Sequence, residues 1–145
     1  MKVKFIYSGS DYDIAREAVI IRICTKLSEF LLLPENVEVE LKQMNPSAYG
    51  EMTLDPRFKN RTKINTDLTV REVMYPVVHE LIHLNQIHTG RLSMRRDGSY
   101  VWDGRTYNVG HPEKMLHKNY MSLPWEVDVA QKQQILLEKL LDSGG

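Results

Sequence analysis

Apolar and polar residues alternate over residues 2–7 (KVKFIY), which predicts a strand. Ser8-Gly9-Ser10-Asp11 breaks that pattern and offers helix caps. A long helix is expected from about Asp11 to Leu33, ended by Pro34, with an apolar stripe of Ile14, Ala18, Ile21, Leu27 and Leu31. Asn36 to Met44 alternates again, with Val37, Val39 and Leu41 on one face, and reads as a second strand. Tyr49 to Leu54 and Thr62 to Thr66 are two shorter strand candidates, split by the turn-like Asp55-Pro56-Arg57.

The pattern then changes to a nearly continuous apolar run. Val73, Met74, Val77, Val78, Leu81, Ile82, Leu84 and Ile87 describe a helix buried on most sides. Thr69-Val70-Arg71-Glu72 matches a capping box at its start, and Gly90 fits its end. Pro76 removes one helical hydrogen bond, so it either kinks this helix or delays its regular start. Inside the run stands His79-Glu80-Leu81-Ile82-His83, which reads HExxH. Residues four apart share a helix face, so both histidines can hold one metal ion. Glu80 lies beside the first of them and can act on a metal-bound water.

Two Asp-Gly pairs, Asp97-Gly98 and Asp103-Gly104, predict a three-stranded meander over residues 91–109. Two-residue turns there set Arg95 opposite Tyr100 and Tyr100 opposite Tyr107. Trp102 and Arg105 share the face of the two tyrosines, and Met94, Val101 and Thr106 share the other. The aromatic-and-arginine face is either a substrate flap or a surface packed on the body of the protein. Residues 110–121 read as irregular. A final helix starts near Ser122 or Leu123, with Pro124 in its first turn, and runs to about Asp142.

A catalytic zinc site usually has three protein ligands and an open position. The pattern HExxHxxGxxH fails here, because Gln86 stands in place of the glycine and Thr89 in place of the third histidine. In the final helix, Leu123, Glu126, Val127, Ala130, Leu137 and Leu141 form the expected inward stripe. A carboxylate on that stripe needs a strong partner, which makes Glu126 the leading third ligand. His111 and His117 stay open as alternatives, with Glu113 behind them. Asp128 is expected to face solvent.

Composition narrows the class. The chain has 145 residues, enough for one domain with a real core. Formal net charge is zero, so no global electrostatic case for nucleic acid exists. The single cysteine, Cys24, lies in an apolar run and reads as core rather than nucleophile. It excludes an internal disulfide framework and suits a reducing compartment. No signal-peptide core is visible at the N-terminus, and no run of about 18 apolar residues predicts a membrane span. The expectation is a cytoplasmic protein without a membrane partner.

HELIH followed by a helix that begins Leu123-Pro124-Trp125-Glu126 resembles the gluzincin branch of zinc metallopeptidases. In size the chain is similar to the minigluzincins and to short phage or bacterial HExxH proteins, and the likeness covers about residues 62–142. It implies an α+β, zincin-like single domain. The expected parts are a small mixed sheet, a long N-terminal helix, the buried HExxH helix, an inserted β-meander and a C-terminal helix bearing the glutamate. It also implies Zn2+ held by His79, His83 and Glu126, with Glu80 as general base. Many larger gluzincins place an aspartate four residues after the glutamate to support a ligand histidine. Here that position is Ala130, so either another group such as Gln86 or a backbone carbonyl supports His79, or the site is weaker.

The implied reaction is hydrolysis of a peptide bond in a peptide or protein substrate. Zinc acidifies water and polarises the scissile carbonyl, while Glu80 takes the proton and passes it to the leaving amine. Tyr107, His111 and Tyr120 are candidate oxyanion donors. The substrate would pair with the strand at residues 49–54. Two alternatives differ in class. One is a non-catalytic zinc-binding or structural protein, against which the intact Glu80 argues. The other is a protease on DNA-bound proteins, as SprT-like proteins are, suggested by Arg91, Arg95, Arg96 and Arg105 on the meander.

Overall fold

The computed structural model describes residues 1–9, 12–43, 50–52, 61–66, 68–69, 72–108 and 117–142. In chain order these form β1 (Lys2–Ser8), α1 (Ile14–Leu27), β2 (Asn36–Lys42), β3 (Gly50–Met52), β4 (Arg61–Asn65), α2 (Met74–His88), β5 (Leu92–Met94), β6 (Tyr100–Trp102), β7 (Arg105–Tyr107), α3 (His117–Met121) and α4 (Pro124–Asp142). The fold is mixed α+β, with four helices and two small sheets among the described residues. No described helix is long and apolar enough to cross a membrane.

The first sheet has the order β1-β2-β4-β3. β1, β2 and β4 run parallel, and β3 pairs antiparallel with β4 at the edge, Glu51 opposite Lys63. Alternation in β2 acts as expected, burying Val37, Val39 and Leu41 on one face. Glu38 and Glu40 point the other way and meet Arg61 of the neighbouring strand at 2.8 and 3.7 Å. The core joins this sheet to three helices through Ile20, Ile23 and Leu27 of α1, Leu81 and Ile82 of α2, and Val129, Leu136 and Leu140 of α4. Each such side chain contributes about 1.5–3 kcal/mol when fully buried.

α1 is shorter than its pattern suggested. Asp13 caps its start by accepting from the Arg16 N–H at 3.0 Å. After Leu27 the bonds tighten to Glu29 N–H to Lys26 carbonyl and Phe30 N–H to Leu27 carbonyl, which closes the helix before Pro34. The buried stripe is Ile20, Ile23, Cys24 and Leu27, whereas Ile14, Ala18 and Ile21 lie exposed. α1 carries apolar residues on more than one face, and the sheet selects which of them it covers. Burial pushes the Cys24 thiol up to about 12, which suits a core residue.

The meander forms as expected at its second turn and differs at its first. Asp103 (φ 48°) and Gly104 (φ 82°) make the two-residue turn, with Tyr100 opposite Tyr107. At the first turn Met94, not Arg95, stands opposite Tyr100. Arg95 N–H bonds the Ser99 carbonyl at 2.8 Å and Gly98 takes φ 87°, giving a three-residue loop. Met94 therefore shares the face of Tyr100 and Trp102. That face packs on the protein: Tyr100 stacks on Trp125 at 5.2 Å and Tyr107 meets the same ring edge-on at 5.7 Å. The aromatic face is thus an anchor and not a flap. Residues 117–121, expected to be irregular, form α3.

Candidate metal centre

α2 is placed by what precedes it. The Arg16 guanidinium donates to the Thr66 carbonyl at 3.2 Å and to the Leu68 carbonyl, tying the approach to α1. The capping box forms: the Thr69 N–H donates to the Glu72 carboxylate at 2.9 Å and the Glu72 N–H to Thr69 Oγ1 at 3.2 Å. Regular helix starts later, at Met74, so Pro76 falls in the first turn, where its missing N–H costs little. Gly90 (φ 79°) ends the helix with the Arg91 N–H bonded to the Gln86 carbonyl at 2.9 Å. His79 and His83 consequently stand on one face, ring centroids 5.0 Å apart.

α4 brings Glu126 to that face. Trp125, Val129, Leu136 and Leu140 are its buried apolar positions, while Val127, Ala130 and Leu141 are exposed. The inward stripe is thus rotated from the expected one, but both settings include Glu126, which is 1% exposed. Its carboxylate lies in the first helical turn, where the helix dipole favours negative charge. Glu126 Oε1 is 3.0 Å from His83 Nε2 and 3.5 Å from His79 Nε2. The three ligating atoms lie within 4.8 Å of one another and could hold a metal ion. Glu126 Oε2 is 3.0 Å from His83 Nε2, yet it is buried and receives no hydrogen bond from the described residues. An acceptor left so, beside two imidazole nitrogens, fits a divalent cation.

Electrostatics agree with that charge-dense cluster. Burial pulls the His83 pKa down, but the Glu126 carboxylate outweighs it and holds the ring up at about 9. Burial likewise pushes Glu126 up, and hydrogen bonds from His79 and His83 prevail, bringing it down to about 2. Glu80, one residue after His79, is buried, and its charge is felt at both His83 and Tyr120.

Of the three expected oxyanion donors, the structure brings Tyr120 to the cluster. Burial raises its phenol pKa, and so do the charges of Glu126 and Glu80. Tyr107 packs on Trp125 instead. His111 and Glu113 lie outside the described residues, and the His117 side chain is not among those described. A cavity of about 390 Å³ opens at the cluster, lined by His79 and Glu126 and then by Tyr75, Met121, Ala130 and Leu137. Its volume falls in the ~300–1,000 Å³ range of small-ligand sites.

Two glutamines complete the centre, in roles the sequence reading did not assign. Gln86 Oε1 lies 2.8 Å from His83 Nδ1, so Gln86 serves His83 and not His79. Gln133 Oε1 lies 3.3 Å from His79 Nδ1 and does the work expected of a group near Ala130. Gln133 stands seven residues after Glu126, on the same helical face two turns on, and that spacing was a usable signal. Asp128 is half-buried rather than solvated: it accepts from Gln86 Nε2 at 2.9 Å and pairs with Lys132 at 3.0 Å. No protein-family model matches the chain, and neither a curated protein nor a solved structure is similar to it beyond chance.

Proposed function

We propose that the protein is a zinc metallopeptidase of the gluzincin type that hydrolyses peptide bonds. The observation that carries this reading is the convergence of His79, His83 and Glu126 from two helices, with Glu80 buried beside them. Two imidazoles and one carboxylate are the ligand set of catalytic zinc with an open position. The mixed sheet with an antiparallel edge strand, the buried HExxH helix and the second helix bearing the glutamate support a zincin-like architecture.

Bound zinc would supply a Lewis acid that acidifies water and polarises a carbonyl. The remaining work belongs to the chain. His79, His83 and Glu126 hold the ion. The Glu80 carboxylate accepts the proton of the attacking water and returns it to the leaving amine. The Tyr120 hydroxyl, kept protonated by burial and neighbouring carboxylates, donates to the developing oxyanion. The edge strand β3 can pair with an extended peptide, and the cavity beside Ala130 can receive an apolar side chain next to the scissile bond.

The intact Glu80 separates this reading from a purely structural zinc site. Arg91 is committed to Asp103 at 2.9 Å and to Asp128 at 3.6 Å, which leaves the DNA-associated reading weaker. Metal analysis of protein purified without added metal, followed by a peptide-library cleavage assay, tests the proposal. About one zinc per chain with cleavage lost in Glu80→Gln is expected. Absence of zinc would end the proposal, and zinc without any cleavage would leave a binding protein.

A further inference from the structure

We infer that the cavity at the cluster is a substrate groove along α4 that favours peptides with a lysine or arginine about five residues from the scissile bond, with Glu138 as the specificity-determining residue. The inference rests on the reading of the cluster as a peptidase centre.

The cavity wall follows one helix. His79 and Glu126 line it at the cluster, and Ala130, Gln134, Leu137, Glu138 and Leu141 continue it along α4. Glu138 follows Glu126 by twelve residues, which places it about 18 Å further along the helix axis. An extended peptide rises about 3.3 Å per residue, so about five residues span that distance. A peptide bound with its scissile carbonyl at the cluster passes over Ala130, the smallest residue of the wall, and reaches Glu138. Gln134 lies on the way and offers one donating and one accepting end to the passing backbone.

The same wall selects the chemistry of what it takes. Its apolar members are open to water: Tyr75 is 54% exposed and Leu141 65%. Covering such surface is favourable. The methylene stem of a lysine or arginine can do so while its charged end stays wet. The lining holds two carboxylates, Glu126 and Glu138, and no lysine or arginine. Both lysines of α4 are engaged elsewhere. Lys132 pairs with Asp128 at 3.0 Å, and Lys139 sits 4.9 Å from the centre of the Phe30 ring. Glu126 belongs to the cluster, which leaves Glu138 to meet a cation on the substrate. Glu138 is exposed, so water screens the pair and the preference is a matter of a few-fold. A substrate glutamate at the same place would meet a like charge.

The experiment moves lysine, norleucine or glutamate position by position through short peptides and reads their cleavage. In wild type, lysine about five residues from the cut, on one side of it, should raise kcat/KM about three- to fivefold over norleucine. Glutamate there should lower it. The change should lie in KM, because the contact is far from the reacting bond. Glu138→Gln should abolish the preference and Glu138→Lys should turn it toward glutamate, with zinc affinity unchanged in both. A wild type indifferent to lysine at every position would overturn the inference, as would a lysine preference that survives Glu138→Lys. The second readout needs no catalysis. Fluorescence anisotropy measures binding of labelled peptides with one lysine, norleucine or glutamate to the Glu80→Gln protein. The lysine peptide should bind most tightly, and adding Glu138→Gln should remove its advantage. A wild type that cleaves nothing would end the peptidase reading, and equal binding of the three peptides would separately overturn the groove.

Discussion

His83 Nε2 and Glu126 Oε1 stand 3.0 Å apart although 43 residues separate them in the chain. α2 is buried on most sides and α4 buries one apolar face, and their packing brings the two polar groups into one buried place. A buried ion pair of this kind is weak evidence for stability, because desolvation offsets much of the attraction. Together with His79, the pair forms a cluster that could hold a metal ion.

His79→Ala, His83→Ala and Glu126→Gln should each weaken zinc binding by more than the ~10–100-fold typical of residues that only support a ligand. Chelator competition on purified protein measures this. Full zinc occupancy in the His79→Ala, His83→Ala double variant would remove the site from consideration.

Glu80→Gln should keep zinc bound and slow cleavage by about 10²–10⁴-fold, since an amide cannot accept the proton. The assay is turnover of any peptide found in the library. Normal turnover would exclude Glu80 as the base.

Zinc affinity should rise with pH. In the metal-free protein the His83 ring stays protonated up to about 9, and the ion must displace that proton. Affinity is therefore expected to fall about tenfold per pH unit below about 9, where one proton is released per ion bound. Stability of the metal-free protein follows the opposite limb. The raised His83 adds stability that is complete below its ordinary 6.5 and is lost as pH climbs through about 9. The depressed Glu126 adds stability that is complete above its ordinary 4.5 and is lost as pH falls through about 2. These are two views of one pair, so denaturant unfolding should show a single broad optimum between 4.5 and 6.5. A flat profile from 6.5 to 9 would contradict the pairing.

Ala130→Trp should fill the cavity beside the cluster. Ala130 is exposed, so the fold should tolerate the change. Cleavage of peptides with leucine or phenylalanine next to the scissile bond is expected to drop about tenfold or more relative to alanine peptides. Zinc affinity should not move. An unchanged side-chain preference would show that substrate does not use this cavity.

Trp125→Ala should act at a distance from the chemistry. The ring is 5% exposed and carries both Tyr100 and Tyr107 of the meander. Its loss should cost about 3–5 kcal/mol, a fall in Tm on the order of 10 °C. Because Glu126 is the next residue, zinc affinity should fall as well. Deleting residues 91–109 should do the same, through loss of the anchor on α4. Unchanged thermal unfolding in Trp125→Ala would mean the meander does not brace the metal helix.

Local chemistry decided much of this protein from its sequence. HExxH spacing puts two histidines on one helical face whatever surrounds them, and Asp103-Gly104 dictates its turn because few other residues adopt positive φ in succession. Strict alternation in β2 identified its buried face, since a strand has only two. Helices are harder, because several faces can be apolar. α1 and α4 each carry more apolar positions than they bury, and only packing against the sheet and α2 chose Ile20 over Ile21 and Val129 over Val127. The same long-range packing chose the partners of the histidines. Its spacing from Glu126 places Gln133 on the same helical face, but only the packing of α4 on α2 set it against His79, 54 residues away. The sequence by itself determined which residues could bind a metal. The tertiary structure decided which of them meet, and which neighbours hold their rings in place.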